Sequence, residues 1–144
     1  MAIEDGVAGE SWSAAEVEVT VLAYLRMLRM QELGQTFVKA QVISRQGERA
    51  VCDAGHKRHA IDSGLPTVFA PAGLTFANGG DEHGVLRAAA PGTALPELGE
   101  TVWLIPGHCD PTVNLHDFAF GVVGGLAAGR VERVIRVDTR GALG

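Results

Sequence analysis

Residues 106 to 117 hold more groups capable of chemistry than any other stretch of the chain, in the order Pro-Gly-His-Cys-Asp-Pro-Thr-Val-Asn-Leu-His-Asp. His108 and Asp110 are separated by one residue, and side chains two positions apart point to the same side of an extended backbone. An imidazole and a carboxylate placed in this way could bind one divalent ion, with Cys109 directed to the opposite side. Structural zinc normally takes four protein ligands. The spacing therefore predicts an open metal site, completed by water, substrate or another chain.

The same segment also fits an ordinary turn, because Pro, Gly, Asp and His are common loop residues. Pro106 and Pro111 flank the two candidate ligands and restrict the backbone around them. We expect His116 and Asp117 on a strand surface rather than beside a metal, and Asn114 to hold the turn through its side-chain amide. From spacing alone, the turn and the metal site both stay open.

The bulk composition excludes several classes of function. The 144 residues correspond to about one domain, and 47% hydrophobic with 20% charged residues is typical of a soluble globular protein. A net charge of -5, with 12 scattered basic residues, argues against a nucleic-acid or anionic-membrane partner. No apolar run approaches the roughly 18 residues of a membrane span, and the N-terminus lacks a signal-peptide pattern. We expect a cytoplasmic protein without a disulfide framework, with Cys52 as a small apolar group in a strand.

Residues 1–35 are predicted to be an N-terminal tail with one amphipathic helix. Ser13 and Glu16 have the spacing of a capping box, and Gly34 fits a helix C-cap. Apolar residues between them recur near the helical period, at Val21, Leu22, Leu25, Leu28 and Leu33. Apolar and polar side chains also alternate in residues 16–22, so a strand stays open there as an alternative to the helix. Such a helix needs a surface for its apolar face, on the following domain or on another chain.

Residues 36–144 are predicted to be a β domain. The candidate strands are Phe37–Ser44, Arg49–Asp53, His56–Ile61, Leu74–Asn78, Gly84–Ala88, Thr101–Ile105, Phe118–Val123 and Val131–Val137. Turn signals separate them, beginning with the hairpin turn at residues 46–48, and the chain has 19 glycines. This pattern predicts a mainly β fold, a small antiparallel β-barrel or sandwich, preceded by the N-terminal helix.

Four separated motifs occur in a recognisable order. They are Val42-Ile43-Ser44-Arg45, Asp53-Ala54-Gly55-His56-Lys57, Asp81-Glu82-His83-Gly84 and the segment 106–117, followed by the closing residues 137–141. In this order and spacing they resemble the C-terminal β domain of the D-threonine aldolase and D-serine dehydratase family. That family consists of pyridoxal-phosphate enzymes related in fold to alanine racemase. The resemblance covers about residues 36 to 141.

The resemblance implies an enzyme in which an α/β barrel carries pyridoxal phosphate on a lysine and the β domain supplies a metal. In the aldolase branch the metal ligands are a His and an Asp, which match His108 and Asp110. In the dehydratase branch a Cys replaces that Asp, commonly with zinc. The aldolase branch is the closer match, and it implies retro-aldol cleavage of D-β-hydroxy amino acids to glycine and an aldehyde. A carboxylate ligand favours manganese or magnesium over zinc.

The barrel itself is not expected in this chain, because a barrel needs roughly 200 residues and only 35 precede the β domain. The only lysines are Lys39 and Lys57, and Lys57 matches a family position that is not the Schiff-base lysine. We expect a fragment, a truncated product or a domain that works with a pyridoxal-phosphate barrel on another chain, and we expect a homo-oligomer. By resemblance, His83 is a candidate general base or cofactor-pocket residue, although a solvated turn explains it equally well.

The remaining polar residues receive structural interpretations. Asp53 and Lys57 are expected to pair across a hairpin, and His56 and His59 to be surface or hairpin residues.

Three further functions stay open. A freestanding interaction module would keep the fold of the family but have no catalytic role. A D-serine dehydratase-like domain would also work with pyridoxal phosphate. A small metal-dependent hydrolase would use His108 and Asp110 with a third ligand, either His83 or His116.

Overall fold

The computed structural model describes residues 36–138 and 140, and they form a mainly β domain. Alternating β-branched and polar residues build its strands, and glycine-containing turns end them. Within this part of the chain the elements are β1 (Val38–Gln46), β2 (Arg49–Cys52), β3 (Thr67–Ala70), β4 (Leu74–Asn78), β5 (Gly84–Ala88), β6 (Thr101–Ile105), α1 (Cys109–Val113), β7 (Phe118–Val123) and β8 (Arg130–Arg136).

Six of these strands form one antiparallel sheet in the order β3-β6-β1-β2-β5-β4. The two edge strands, β3 and β4, contact each other, so the sheet curls into a nearly closed, barrel-like shape. Such closure covers the unpaired backbone groups that an open sheet edge leaves exposed. The prediction of a mainly β, antiparallel fold is confirmed in this barrel-like form.

The core lies inside this sheet. In β1, Val38, Ala40 and Val42 are buried and alternate with exposed residues, as the two-residue period of a strand requires. They pack in one apolar cluster with residues such as Leu86 of β5 and Leu104 of β6. Cys52 belongs to the same cluster, which confirms its predicted place as a small apolar group in a strand, and burial raises the pKa of its thiol.

Most of the strand predictions are confirmed, several with identical bounds, but one is wrong and one strand was not predicted. His56–Ile61 is a turn rather than a strand, because the N–H groups of residues 56 and 57 bond to the carbonyls of residues 80 and 81 instead of to a neighbouring strand. Thr67–Ala70 is a strand that the sequence analysis missed. It is a short edge strand between Pro66 and Pro71, and among the described strands it pairs only with β6. Prolines on both sides weaken its strand signal. The predicted N-terminal helix lies outside the described residues.

Strands β7 and β8 form a second, two-stranded antiparallel sheet. Most of its side chains are exposed, including those of Phe118, Phe120 and Val134, which are 51%, 61% and 62% accessible. In the described ranges, no helix has the length and apolar character needed to cross a membrane.

Candidate metal centre

Two segments that are distant in sequence form the candidate site. One is the loop of residues 58–64 between β2 and β3, and the other is residues 106–116, which follow β6 and contain α1. The backbones of the two segments touch at Gly107 and Gly64. A Cβ atom added to Gly107 would lie only 2.4 Å from the carbonyl oxygen of Gly64. Only glycine permits this approach, so Gly107 brings the loop against the residue that follows it, His108.

The buried hydroxyl of Thr112 joins the two segments. It accepts a hydrogen bond from the N–H of Ala60 at 3.1 Å and donates one to the carbonyl oxygen of His108 at 2.6 Å. Thr112 is 1% accessible, so these bonds are shielded from water. The hydroxyl therefore fixes the backbone of His108 relative to the loop.

The imidazole of His108 is held by the loop residue Asp62. The backbone of His108 is extended, with φ -142° and ψ 120°, at the N-cap of α1. Its Nδ1 lies 2.5 Å from Oδ2 of Asp62 and 3.3 Å from Oγ of Ser63, and the Ser63 hydroxyl donates to the same Asp62 oxygen at 3.2 Å. The hydrogen bond from His108 lowers the pKa of the Asp62 carboxyl below its usual value. With Nδ1 occupied by a carboxylate, Nε2 is the ring nitrogen left for a ligand.

Asp110 lies in the first turn of α1, not in an extended segment. The extended backbone under which His108 and Asp110 would point to the same side is therefore present at His108 but not at Asp110. Pro111 explains the difference, because proline is tolerated in the first helical turn, where backbone N–H groups have no partner within the helix. The carboxylate is exposed, and no hydrogen bond or ion pair reaches it from residues 36–138 or 140. His108 and Asp110 stay a predicted ligand pair, now without the support of the strand geometry.

Neighbouring residues of the segment have structural contacts. Cys109 points to Thr36, where its thiol donates to the hydroxyl at 3.1 Å. His116 contacts the other segment, with Nε2 2.9 Å from the carbonyl oxygen of Arg58.

Asp117 pairs with Nη1 of Arg140 at 2.5 Å. Asn114 ends α1 through its backbone N–H, which bonds to the carbonyl of Asp110. Its side-chain oxygen is buried without a partner in the described part of the chain, contrary to the predicted role of the amide.

Two of the other sequence motifs lie side by side next to this site. Gly55 packs on the carbonyl of Gly80 so closely that a Cβ would be 2.3 Å away, and the N–H of Lys57 donates to the carbonyl of Asp81 at 2.9 Å. The side chain of Lys57 pairs with Glu82 at 2.7 Å. Both side chains are more than half exposed, so this ion pair contributes little stability.

The predicted pair of Asp53 and Lys57 is therefore wrong. Asp53 instead accepts a hydrogen bond from the N–H of Gln41 at 2.7 Å and lies 3.9 Å from Arg58. Lys57 is directed away from it because the turn places Glu82 within reach of its ammonium group.

His83, the candidate catalytic residue, is exposed at the end of the turn between β4 and β5, where its carbonyl accepts the N–H of Gly79 at 2.9 Å. Its catalytic role stays a prediction. Within the described residues no three His, Cys, Asp or Glu side chains are grouped so that they could hold a metal ion. A hydrolase site built from His108, Asp110 and either His83 or His116 is therefore not found there.

His59 is buried, which corrects its predicted place on the surface. It is 0% accessible, and its ring meets that of Phe76 edge to face at 5.3 Å. Burial lowers the pKa of this imidazole, and its Nε2 has no partner among the described residues. His56 is only half-buried and accepts a hydrogen bond from the side-chain amide of Asn78.

Sequence reasoning missed Asp62, Ser63 and Thr112. The only local signal was the turn sequence Asp-Ser-Gly at residues 62–64, which indicates a loop but not what the loop contacts. The contact between Asp62 and His108 spans 46 residues, and no periodicity reports such a distance in the chain.

Fold and site together define a small, barrel-like antiparallel β domain that carries an anchored histidine near an exposed aspartate. Residues 36–122, more than half of the chain, match the family model described as "Putative serine dehydratase domain". The chain belongs to this family.

Similar proteins agree with this assignment. The chain is 41% identical over 106 residues to a D-threonine aldolase from an Arthrobacter species, which covers 73% of this chain and 27% of that protein. It is 40% identical over 92 residues to a 3-hydroxy-D-aspartate aldolase from Paracoccus denitrificans, covering 64% of this chain and 22% of that one. The chain therefore spans about a quarter of the length of these curated relatives.

Solved structures show the same fold. The crystal structure of D-threonine aldolase from Filomicrobium marinum is similar with a TM-score of 0.67 and 46% identity, covering 74% of this chain and 28% of that one. D-threo-3-hydroxyaspartate dehydratase from Delftia sp. HT23 has a TM-score of 0.54 and 23% identity, covering 76% of this chain and 36% of that one, and supports the fold alone.

Proposed function

We propose that this chain supplies the metal-binding β domain of a D-threonine-aldolase-like lyase. The complete activity would be cleavage of the Cα–Cβ bond of a D-β-hydroxy amino acid, giving glycine and an aldehyde. It would require a pyridoxal-phosphate barrel domain or chain as partner, because neither Lys39 nor Lys57 matches the cofactor lysine. Identities of 40–41% to two aldolases support this reaction class.

The observation that carries the proposal is the anchored imidazole of His108, two residues before an exposed carboxylate. Asp62 occupies Nδ1 at 2.5 Å, which leaves Nε2 for an ion, as metal-binding histidines usually require. This donor set fits a divalent ion at an open site, with His108 and Asp110 as the protein ligands. The carboxylate favours manganese or magnesium over zinc.

Each partner would have a separate task. A bound divalent ion lowers the pKa of a coordinated hydroxyl group and orients it. Pyridoxal phosphate in the barrel supplies the electron sink for bond cleavage. The residues of this chain would bind and orient: His108 and Asp110 hold the ion, while Thr112 and the 58–64 loop keep His108 in place.

Metal binding by the isolated 144-residue chain is the first test. Isothermal titration with Mn²⁺ should show weak binding that is lost in His108→Ala and in Asp110→Ala. Asp81→Ala is the matched control, because Asp81 is exposed and its carboxylate makes no hydrogen bond with any residue of the described part of the chain. A folded chain that binds no Mn²⁺ at millimolar concentration would contradict the proposal.

The reaction is tested by reconstitution. The chain would be mixed with the pyridoxal-phosphate barrel of a D-threonine aldolase from which the β domain has been removed, and supplied with D-threonine and Mn²⁺. Formation of glycine and acetaldehyde, absent with the His108→Ala chain, would support the lyase. Formation of ammonia and a keto acid would instead support the D-serine dehydratase-like alternative.

A non-catalytic interaction module is the second candidate, and the exposed apolar residues of the β7–β8 hairpin favour it. Phe118, Phe120 and Val134 are each more than half accessible, and apolar residues exposed together often mark an interaction surface. This candidate predicts association with a barrel partner or with a second copy, without metal binding. Sedimentation velocity, alone and with a purified barrel domain, tests both forms of association, including the predicted homo-oligomer.

A further inference from the structure

The contact between Asp62 and His108 is better constrained than a surface ion pair. Both side chains are about half exposed, at 53% and 43%, and an isolated pair of this kind would be free to separate. Here the Ser63 hydroxyl donates to the same carboxylate oxygen, and the carbonyl of Gly64 rests on Gly107. The loop is thus fixed directly after Asp62.

The backbone of His108 is constrained from its other side. Thr112 donates to its carbonyl at 2.6 Å and accepts from Ala60, which belongs to the same loop as Asp62. The carboxylate and the imidazole are therefore mounted on one hydrogen-bonded unit. Separation of the Asp62 carboxylate from the His108 imidazole would have to break these backbone bonds or the contacts of the two side chains with the Ser63 hydroxyl.

A carboxylate at Nδ1 determines which nitrogen of a neutral imidazole carries the proton. When Nδ1–H donates to Asp62, the lone pair lies on Nε2, and the ring is held in one orientation. Neutral histidine without such an acceptor exchanges between two tautomers, and only one of them presents a lone pair at Nε2.

We propose that Asp62 is a positioning residue that holds His108 as the Nδ1–H tautomer, with Nε2 directed to a divalent ion, and that Ser63 orients the Asp62 carboxylate. This inference rests on the proposed metal-binding function and extends it to the loop of residues 58–64. Asp62 acts through His108 and does not itself bind the ion.

The first test needs no metal. Two-bond ¹H–¹⁵N correlation spectra of the ¹⁵N-labelled chain, recorded in alkaline buffer, report which ring nitrogen of His108 is protonated, and His108→Gln assigns the signals. We expect the Nδ1–H form in the wild type and a shift towards the Nε2–H form in Asp62→Ala. Glu48→Gln, an exposed charge change in the β1–β2 turn, should leave the signals unchanged. A wild-type ring in the Nε2–H form would overturn the proposal.

The second test measures Mn²⁺ affinity by titration calorimetry. Loss of an outer carboxylate of this kind weakens metal binding by about 10- to 100-fold, so we expect a loss in that range for Asp62→Ala. Asp62→Asn keeps an acceptor oxygen without the charge, so its Mn²⁺ affinity should lie between those of the wild type and Asp62→Ala. Ser63→Ala should show a smaller loss, and Glu48→Gln none.

The outcomes separate this inference from the proposed function. Absence of Mn²⁺ binding by the folded wild type would overturn the metal-binding function itself. Wild-type binding with unchanged affinity in Asp62→Ala would overturn only the role of Asp62. Complete loss of binding in Asp62→Ala, with the His108 tautomer unchanged, would make Asp62 a ligand and would also overturn the positioning role.

Discussion

Replacing Thr112 by valine should destabilise the domain, because its buried hydroxyl accepts one of the hydrogen bonds that join the two segments of the candidate site and donates another within the second segment. Valine has nearly the same shape as threonine, so the change removes the hydroxyl without opening a large cavity. The N–H of Ala60 loses its acceptor, and the carbonyl of His108 loses a donor. Because Thr112 is 1% accessible, water cannot readily replace either bond.

The magnitude follows from the two broken bonds. Leaving a buried donor without a partner costs about 1–3 kcal/mol, and losing one bond of an otherwise bonded carbonyl costs about 0.5–1.5 kcal/mol. The apolar methyl group of valine offsets part of this loss. We expect the free energy of unfolding to fall by about 2 kcal/mol. With the usual unfolding entropy per residue, the melting temperature should fall by about 7–9 °C.

Urea unfolding followed by circular dichroism, together with a thermal melt, measures this change. Thr101→Val is the matched control, because Thr101 is an exposed residue of β6, and its effect should stay within about 0.5 kcal/mol. If Thr112→Val unfolds within the same range as this control, then the hydroxyl does not join the segments and the reasoning is refuted.

Two further predictions test the packing around the site. Burial lowers the pKa of His59 below 6.5, so the unfolded chain binds more protons and stability falls as the pH drops below 6.5 towards the folded-state pKa. The urea midpoint should therefore fall less between neutral and mildly acidic pH in His59→Phe than in the wild type, whereas the exposed control His83→Gln should keep the wild-type slope. Gly107→Ala would place a Cβ 2.4 Å from the carbonyl of Gly64 and should destabilise the domain by about 1–3 kcal/mol. Gly121→Ala, whose added Cβ would have an ordinary 3.4 Å contact, should change the same unfolding curve much less.

The sequence predicts the sheet well where each strand has a complete local signal. Strands β4, β5, β6 and β7 have the predicted bounds, because alternating residues with turn residues on both sides define where each begins and ends. Strand β3 lacks that signal, since it has four residues between two prolines. Its place in the sheet depends on pairing with β6, which lies more than 30 residues later and leaves no local pattern.

The turn at residues 56–61 shows the opposite error. Its polar and apolar residues suggested a strand, but strand formation depends on where the backbone N–H groups find acceptors. Here those acceptors are the carbonyls of residues 80 and 81, on a glycine-rich turn. Burial of His59 follows from the same turn and could not be read from its neighbours in sequence.

Residue spacing and motif order both pointed to His108 and Asp110 as a ligand pair. Their two-residue spacing supports joint binding only in an extended backbone, and the helix α1, which begins at Cys109, replaces that backbone. The order of the motifs agrees with the structure, because the segments at residues 53–57 and 80–84 lie side by side and the 58–64 loop continues from them to His108. Motif order carries information about contacts between distant segments, which two-residue spacing cannot contain. The assignment of His108 and Asp110 therefore rests on the family resemblance and on the anchor that Asp62 provides. Direct measurement of metal binding by the wild type and by His108→Ala and Asp110→Ala tests this ligand pair.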